Sequence, residues 1–201
     1  MTATPASDGD IIAGSLHDPD AFVALFERHF RELHRYLARR VGGELADDLA
    51  AEAFAEAFRV RGRYRPLTPD ARPWLYGIAA NLLFKHRRGE ARRLRALART
   101  RGELAHDDAD GALERVDAAA LAPRVAAALR GLAPRDREVL LLFAWAELGY
   151  AEIAVALAIP VGTVRSRLSR ARAQVRRELG DHDDSAALPG VADPVEGAAR
   201  A

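Results

Sequence analysis

The chain has 201 residues, 49% of them apolar and 6% aromatic, a composition that suits one or two soluble domains built from Ala- and Leu-rich helices. It contains no cysteine, so disulfides and thiolate metal sites are excluded. Thirty basic residues against 29 acidic ones leave a formal charge of +1, which says little until it is mapped along the chain.

Mapped, the charge falls into alternating blocks. Residues 1–20, Glu44–Glu56, Glu103–Asp117 and the segment from Asp181 onward are acidic, whereas Lys85–Arg101 holds eight basic residues against Glu90 alone and Val161–Leu179 is basic again. Such alternation points to several partner surfaces rather than one uniform field. No basic-then-apolar leader and no long apolar run occurs, so neither a signal peptide nor a membrane span is expected, and the expected location is cytoplasmic.

Residues 1–17 precede the first periodic segment and are expected to be flexible. Phe22, Leu25, Phe26, Phe30, Leu33, Tyr36, Leu37 and Val41 then recur at helical spacing, with Asp18 or Asp20 suited to cap the helix and Gly42-Gly43 to stop it. A second helix, about Ala46–Arg59, turns Leu49, Ala53, Phe54, Ala57 and Phe58 inward and leaves Asp47, Asp48, Glu52 and Glu56 in water. RGRYRPLTPDARP breaks regularity with Gly62, Pro66 and Pro69 and reads as a loop. Asp70 and Pro73 open a third helix striped by Trp74, Leu75, Ile78, Leu82 and Leu83, ending near Arg95. These helices define a first domain over residues 18–98.

Residues 99–120 lack an apolar stripe and read as a flexible acidic linker. Helices resume at Leu121–Leu132, Pro134–Ala146, Tyr150–Leu157 and Val161–Leu179, giving a second domain over 121–179, and residues 180–201 form an acidic tail expected to be disordered. No segment alternates with strand period for long. The expected fold is therefore all-α: two small helical domains joined by the linker, the second containing a helix-turn-helix.

That motif rests on YAEIAVALAIPVGTVRSRLSRARAQVRREL. A short helix, a tight connection at Ala158–Pro160 and a second helix opening with Gly162-Thr163 match the helix-turn-helix pattern, with Ile153, Leu157 and Val164 packing the pair. Val164, Leu168, Ala171, Val175 and Leu179 form the inner face of the second helix, and its six arginines lie on the remaining surface. An Arg-rich helix by itself is usually a solvated face. The preceding helix and the small polar opening make this one a DNA-reading helix.

LAPRDREVLLLFAWAELGYAEIAVALAIPVGTVRSRLSRAR resembles the fourth conserved region of bacterial RNA polymerase sigma factors, particularly the small extracytoplasmic-function group. DPDAFVALFERHF, ADDLAAEAFAEAFR and RPWLYGIAANLLFKHRR are similar to that group's second region, so the resemblance covers roughly residues 18–95 and 121–179 in the expected order. Two positions depart from the pattern. Gly149 stands where the family has Ser or Thr, which removes the side-chain acceptor of a capping box before Glu152. Ala158 stands where the family often has Gly in the connection; at a positive φ this costs on the order of 1 kcal/mol.

The resemblance implies a function: a sigma factor that binds core polymerase and directs promoter-specific initiation. Asp47, Asp48, Glu52 and Glu56 would dock on the β′ coiled coil, although plain solvation also explains an acidic helix face. Asn81 would hold a flipped base of the −10 element, with Tyr64 and the 65–72 loop completing the pocket. Lys85, His86 and Arg88, continuing into Arg92, Arg93 and Arg95, would hold adjacent phosphates. Trp74 suits either core or a stacking platform. In the second domain Arg165, Ser166 and Arg170 are placed to read −35 bases, since Arg bonds guanine bidentately and Ser serves either base type. Tyr150, Thr163, Arg167 and Arg172 suit backbone contacts. Leu142 and Trp145 suit either the core or the β flap. An anti-sigma factor is a further possible partner by the same resemblance. Neither a Walker glycine loop nor a histidine spacing for metal is present, so no enzyme activity, metal or cofactor is expected. A stand-alone repressor has no need of the acidic docking helix. A sigma-factor mimic has little use for two arginine-rich surfaces.

Overall fold

The computed structural model describes residues 6–68, 70–100 and 123–179, which form eight α-helices and two short 3-10 turns with no strand among them. The N-terminal group is α1 (Asp8–Gly14), α2 (Val23–Val41), α3 (Gly43–Val60) and α4 (Arg72–Thr100). The C-terminal group is α5 (Pro123–Gly131), α6 (Pro134–Ala144), α7 (Tyr150–Leu157) and α8 (Val161–Leu179). Almost all of the expected linker (101–120) and the acidic tail lie outside the described residues.

The flexible N-terminus expected over residues 1–17 is corrected at α1. This helix carries a Ser7–Asp10 capping box and buries Ile11 and Ile12. Its anchor is Asp8, whose carboxylate accepts from the Ala71 amide at 2.7 Å, meets His29 Nε2 at 2.7 Å and pairs with Arg28. Burial alone would raise the Asp8 carboxyl, but the Ala71 amide, His29 and Arg28 outweigh it and hold it below its ordinary value. Seven residues with three apolar side chains are too few to show a sequence period, and the ionic anchor at Asp8 comes from distant parts of the chain.

Asp18 caps the entry as expected, accepting from the Asp20 amide at 3.2 Å; a 3-10 turn at Pro19–Phe22 then leads into α2. Gly42, at φ 83°, ends α2 and starts α3, a backbone that other residues rarely adopt. Leu25, Leu33 and Leu37 of α2 meet Leu49, Ala53, Phe54 and Ala57 of α3 and Leu75, Ala79 and Leu83 of α4 in the core. The α4 helix continues past the expected end near Arg95 to Thr100, because neither Gly nor Pro interrupts residues 90–100.

In the C-terminal group α7 and α8 have their expected bounds, and Ile153, Val164, Leu168 and Ala171 are buried between helices. The α6 helix ends at Ala144, two residues before the expected end, and Glu147 then takes a positive φ of 55°.

The two groups share one apolar core. The α4 helix crosses α7 so closely that a Cβ at Gly77 would collide with the Ala156 carbonyl oxygen. Beside this crossing, Arg40 of α2 is fully buried and forks onto Glu138 of α6, Nη1 at 2.7 Å and Nη2 at 2.8 Å. Tyr36 donates to the same carboxylate at 3.0 Å and accepts from Arg40 at 2.6 Å. Arg72 donates to the Ala146 carbonyl from the other side. Burial would lower Arg40 and raise Glu138, but their mutual attraction reverses both, so each stays charged.

Candidate nucleic-acid and polymerase interfaces

The α8 helix separates its faces cleanly. Val164, Leu168 and Ala171 point into the core, while Arg165, Ser166 and Arg170 are exposed and Thr163 and Arg167 are half-buried along the edge. Arg165 and Ser166 lie in the first two turns, the part of a recognition helix that reaches base edges. The Ser166 hydroxyl donates to the Thr163 carbonyl at 3.1 Å, which leaves its oxygen lone pairs for a base donor.

Two contacts on this surface come from residues that the sequence did not flag. Arg170 Nε and Nη2 each lie 3.1 Å from a carboxylate oxygen of Asp136, in the first turn of α6. The Arg172 guanidinium sits 4.6 Å over the Phe143 ring, and Tyr150 packs on that ring at 5.9 Å. Tyr150 and Arg172 are thus held on one side of the motif by one aromatic. Phe143 is hidden inside the apolar run LLLFAWA, and an acid in a first helical turn reads simply as a dipole complement.

The connection at Ala158 is left-handed, φ 51° and ψ 46°, as the expected turn demands. At the start of α7 the Gly149 amide donates to Glu152 Oε2 at 2.7 Å, so half of the capping box survives without a side chain at Gly149.

On α4, Asn81, Lys85 and Arg88 are exposed at i, i+4 and i+7, one stripe along the helix, with half-buried His86 beside it. Arg88 lies 5.6 Å from the Phe84 ring. Trp74 occupies the same side two turns earlier and packs on Tyr64, ring centroids 4.9 Å apart at 53°. Both rings are half-buried, so the pair is a wall with one face in the core. Leu142 is fully buried, and Trp145 is half-buried with Arg39 6.0 Å from its ring.

The acidic face of α3 is less uniform than its sequence. Asp48 and Glu52 are exposed. Asp47 Oδ1 lies 2.8 Å from His34 Nε2. Glu56 accepts from Nε and Nη2 along one guanidinium edge of Arg59 and lies near Lys85; Arg59, more than its slight burial, holds its carboxyl below the ordinary value. Beside this face, Phe26, Phe30 and Phe54 form an aromatic cluster with centroids 4.6–6.0 Å apart, and Phe26 is 39% exposed. Among the described residues no group of His, Cys, Asp or Glu is arranged to hold a metal, and no helix is long and apolar enough to cross a membrane.

Two groups of helices, one carrying an acidic face and a basic stripe, the other a helix-turn-helix, define a bipartite DNA-binding transcription factor. Sigma-70 region 2 matches residues 25–93 and sigma-70 region 4 matches residues 123–175. RNA polymerase sigma factor CarQ of Myxococcus xanthus is 35% identical over 167 residues, covering 81% of this chain and 91% of that protein. The RNA polymerase sigma-E factor of Streptomyces coelicolor is 44% identical over 61 residues, 30% of this chain and 34% of that protein. CnrH, solved in complex with the cytosolic domain of CnrY, aligns with a TM-score of 0.60 and 26% identity over 89% of this chain and 100% of that one. The chain belongs to the sigma-70 family, in its extracytoplasmic-function group. It binds core RNA polymerase and directs promoter-specific transcription initiation at −35 and −10 elements.

Proposed function

We propose the following division of labour on this surface. Residues 121–179 read the −35 element, with Arg165, Ser166 and Arg170 at base edges and Tyr150, Thr163, Arg167 and Arg172 at phosphates. Residues 18–98 dock on the β′ coiled coil through Asp47, Asp48 and Glu52. The same domain opens the −10 element with Asn81 and Tyr64 at a flipped base and Lys85, His86 and Arg88 along the strand. Glu56, bound to Arg59 and near Lys85, faces those cations rather than the polymerase. The carrying observation is that α8 buries an apolar face and leaves Arg165, Ser166 and Arg170 together in solvent. The protein acts in the cytoplasm with polymerase, as an initiation factor rather than an enzyme. A protein inhibitor of the anti-sigma type is a further proposed partner; its support is the complex of CnrH with the cytosolic domain of CnrY.

Asn81→Ala and Arg165→Ala separate the two surfaces. Asn81→Ala leaves duplex −35 binding intact and lowers permanganate reactivity at −10, because a base pocket matters only once strands part. Arg165→Ala loses about 1–3 kcal/mol at particular −35 positions, whereas Arg176→Ala weakens all sequences alike and flattens the salt dependence. Normal opening with Asn81→Ala removes the pocket, and identical uniform losses for the two arginines reduce α8 to an electrostatic anchor.

A further inference from the structure

We propose that Asp136 is a positioning residue for −35 recognition: it braces Arg170 so that the outer edge of the guanidinium is presented to one guanine. The inference rests on the assignment of Arg170 to a base edge. Arg170 gives Nε and one hydrogen of Nη2 to the Asp136 carboxylate, both at 3.1 Å. That leaves the other Nη2 hydrogen and both Nη1 hydrogens, the end-on pair of donors that matches guanine O6 and N7. The side chain is 63% exposed while Asp136 is 14% exposed, so the brace sits in the fold and the donating edge faces outward.

A long arginine on a helix surface samples many rotamers, and each good contact is opposed by the entropy of fixing them. A planar fork held on one edge has lost most of that freedom before DNA arrives, so its second edge discriminates more sharply. The carboxylate also repels phosphate at every sequence, because it adds a negative charge near the groove. A brace of this kind therefore gives up general affinity and gains selectivity. That pair of opposite signs distinguishes it from a residue that only supports α6.

The test uses the full chain assembled with core polymerase and a promoter library varied across the −35 element, for wild type, Asp136→Asn, Arg170→Ala and the double variant. Arg170→Ala is expected to erase the guanine preference at one position. Asp136→Asn is expected to lower that preference on the order of tenfold, to leave other positions unchanged and to keep or raise binding to unrelated DNA. The double variant should match Arg170→Ala at that position, since the brace acts only through the arginine. A thermal midpoint within a few degrees of wild type accompanies this outcome. Preference unchanged in Asp136→Asn but lost in Arg170→Ala overturns the brace and leaves the reading standing. Uniform weakening by Arg170→Ala removes the reading and the brace with it. Tighter cognate binding by Asp136→Asn makes Asp136 a mask, and loss at every position makes it structural; either overturns the proposal.

Discussion

Ala158 shows how one side chain can sit against its backbone. Its φ of 51° is a left-handed conformation, where a Cβ crowds the following carbonyl. The turn keeps this geometry because Ile159 donates to the Ala154 carbonyl at 3.0 Å and the two helices must cross for Ile153 and Val164 to be buried. Ala158→Gly relieves the crowding but enlarges the entropy of the unfolded chain, so the expected gain is about 0.5–1 kcal/mol. A urea titration reads it as a rise in midpoint at unchanged slope. A fall in midpoint shows that the strain is absorbed elsewhere. This position was legible beforehand because a helix-turn-helix constrains its connection tightly. Asp136 and Phe143 were not: each matters through a partner 34 or 29 residues away, and no local period reports that.

At the scale of elements, α3 was legible as a helix and only partly as a surface. Asp47, Asp48, Glu52 and Glu56 share an acidic face in the sequence, yet Arg59 neutralises Glu56 and His34 approaches Asp47. Reversing Asp48 and Glu52 to Lys is therefore expected to weaken assembly with core polymerase strongly. Glu56→Gln, by contrast, changes assembly little. Both variants keep the helix, since none of the three side chains is in the core. Competition binding to core polymerase checks the order; equal losses in both variants place the docking face elsewhere. The bounds of α7 and α8 followed from their apolar stripes and flanking Gly and Pro, whereas α1 escaped because its hold is Asp8 against α2 and the start of α4.

At the scale of the whole molecule, the contact between the two helix groups was not legible in the sequence. Arg40 and Glu138 are 98 positions apart and sit in stretches that read as ordinary amphipathic helix. With Arg40 buried and Glu138 half-buried, the pair couples the two groups. Glu138→Gln leaves Arg40 facing a neutral acceptor, an expected loss of about 2–3 kcal/mol. That loss appears as opening rather than unfolding, because Arg40 regains water when the groups part. Energy transfer between dyes on α3 and α8 should fall in this variant; unchanged transfer means that the apolar crossing alone holds the groups together. The acid dependence has a definite sign. The Glu138 carboxyl is held below its ordinary 4.5, so its contribution is complete above that value and disappears as pH falls through the lower folded one. The contact is expected to be constant from about pH 6 to 8 and to fail only in stronger acid.

Gly77 lets α4 and α7 touch, and that contact limits how far apart the two proposed DNA surfaces can stand. Asn81 is one turn beyond Gly77, and Arg165 is nine residues beyond Ala156. Even a fully extended segment keeps them within about 45 Å. The elements assigned to them are, by their names, about 25 base pairs apart, roughly 85 Å of duplex. On the proposed assignments, a closed molecule engages one element but not both. Two-element affinity is divided by the open fraction: if about one molecule in a hundred is open, binding is about a hundredfold weaker than the intrinsic value. A partner that binds only the open form would restore that factor. The missing side chain at Gly77 thus permits a contact that, while it is made, holds the two proposed DNA surfaces too close together to span both elements.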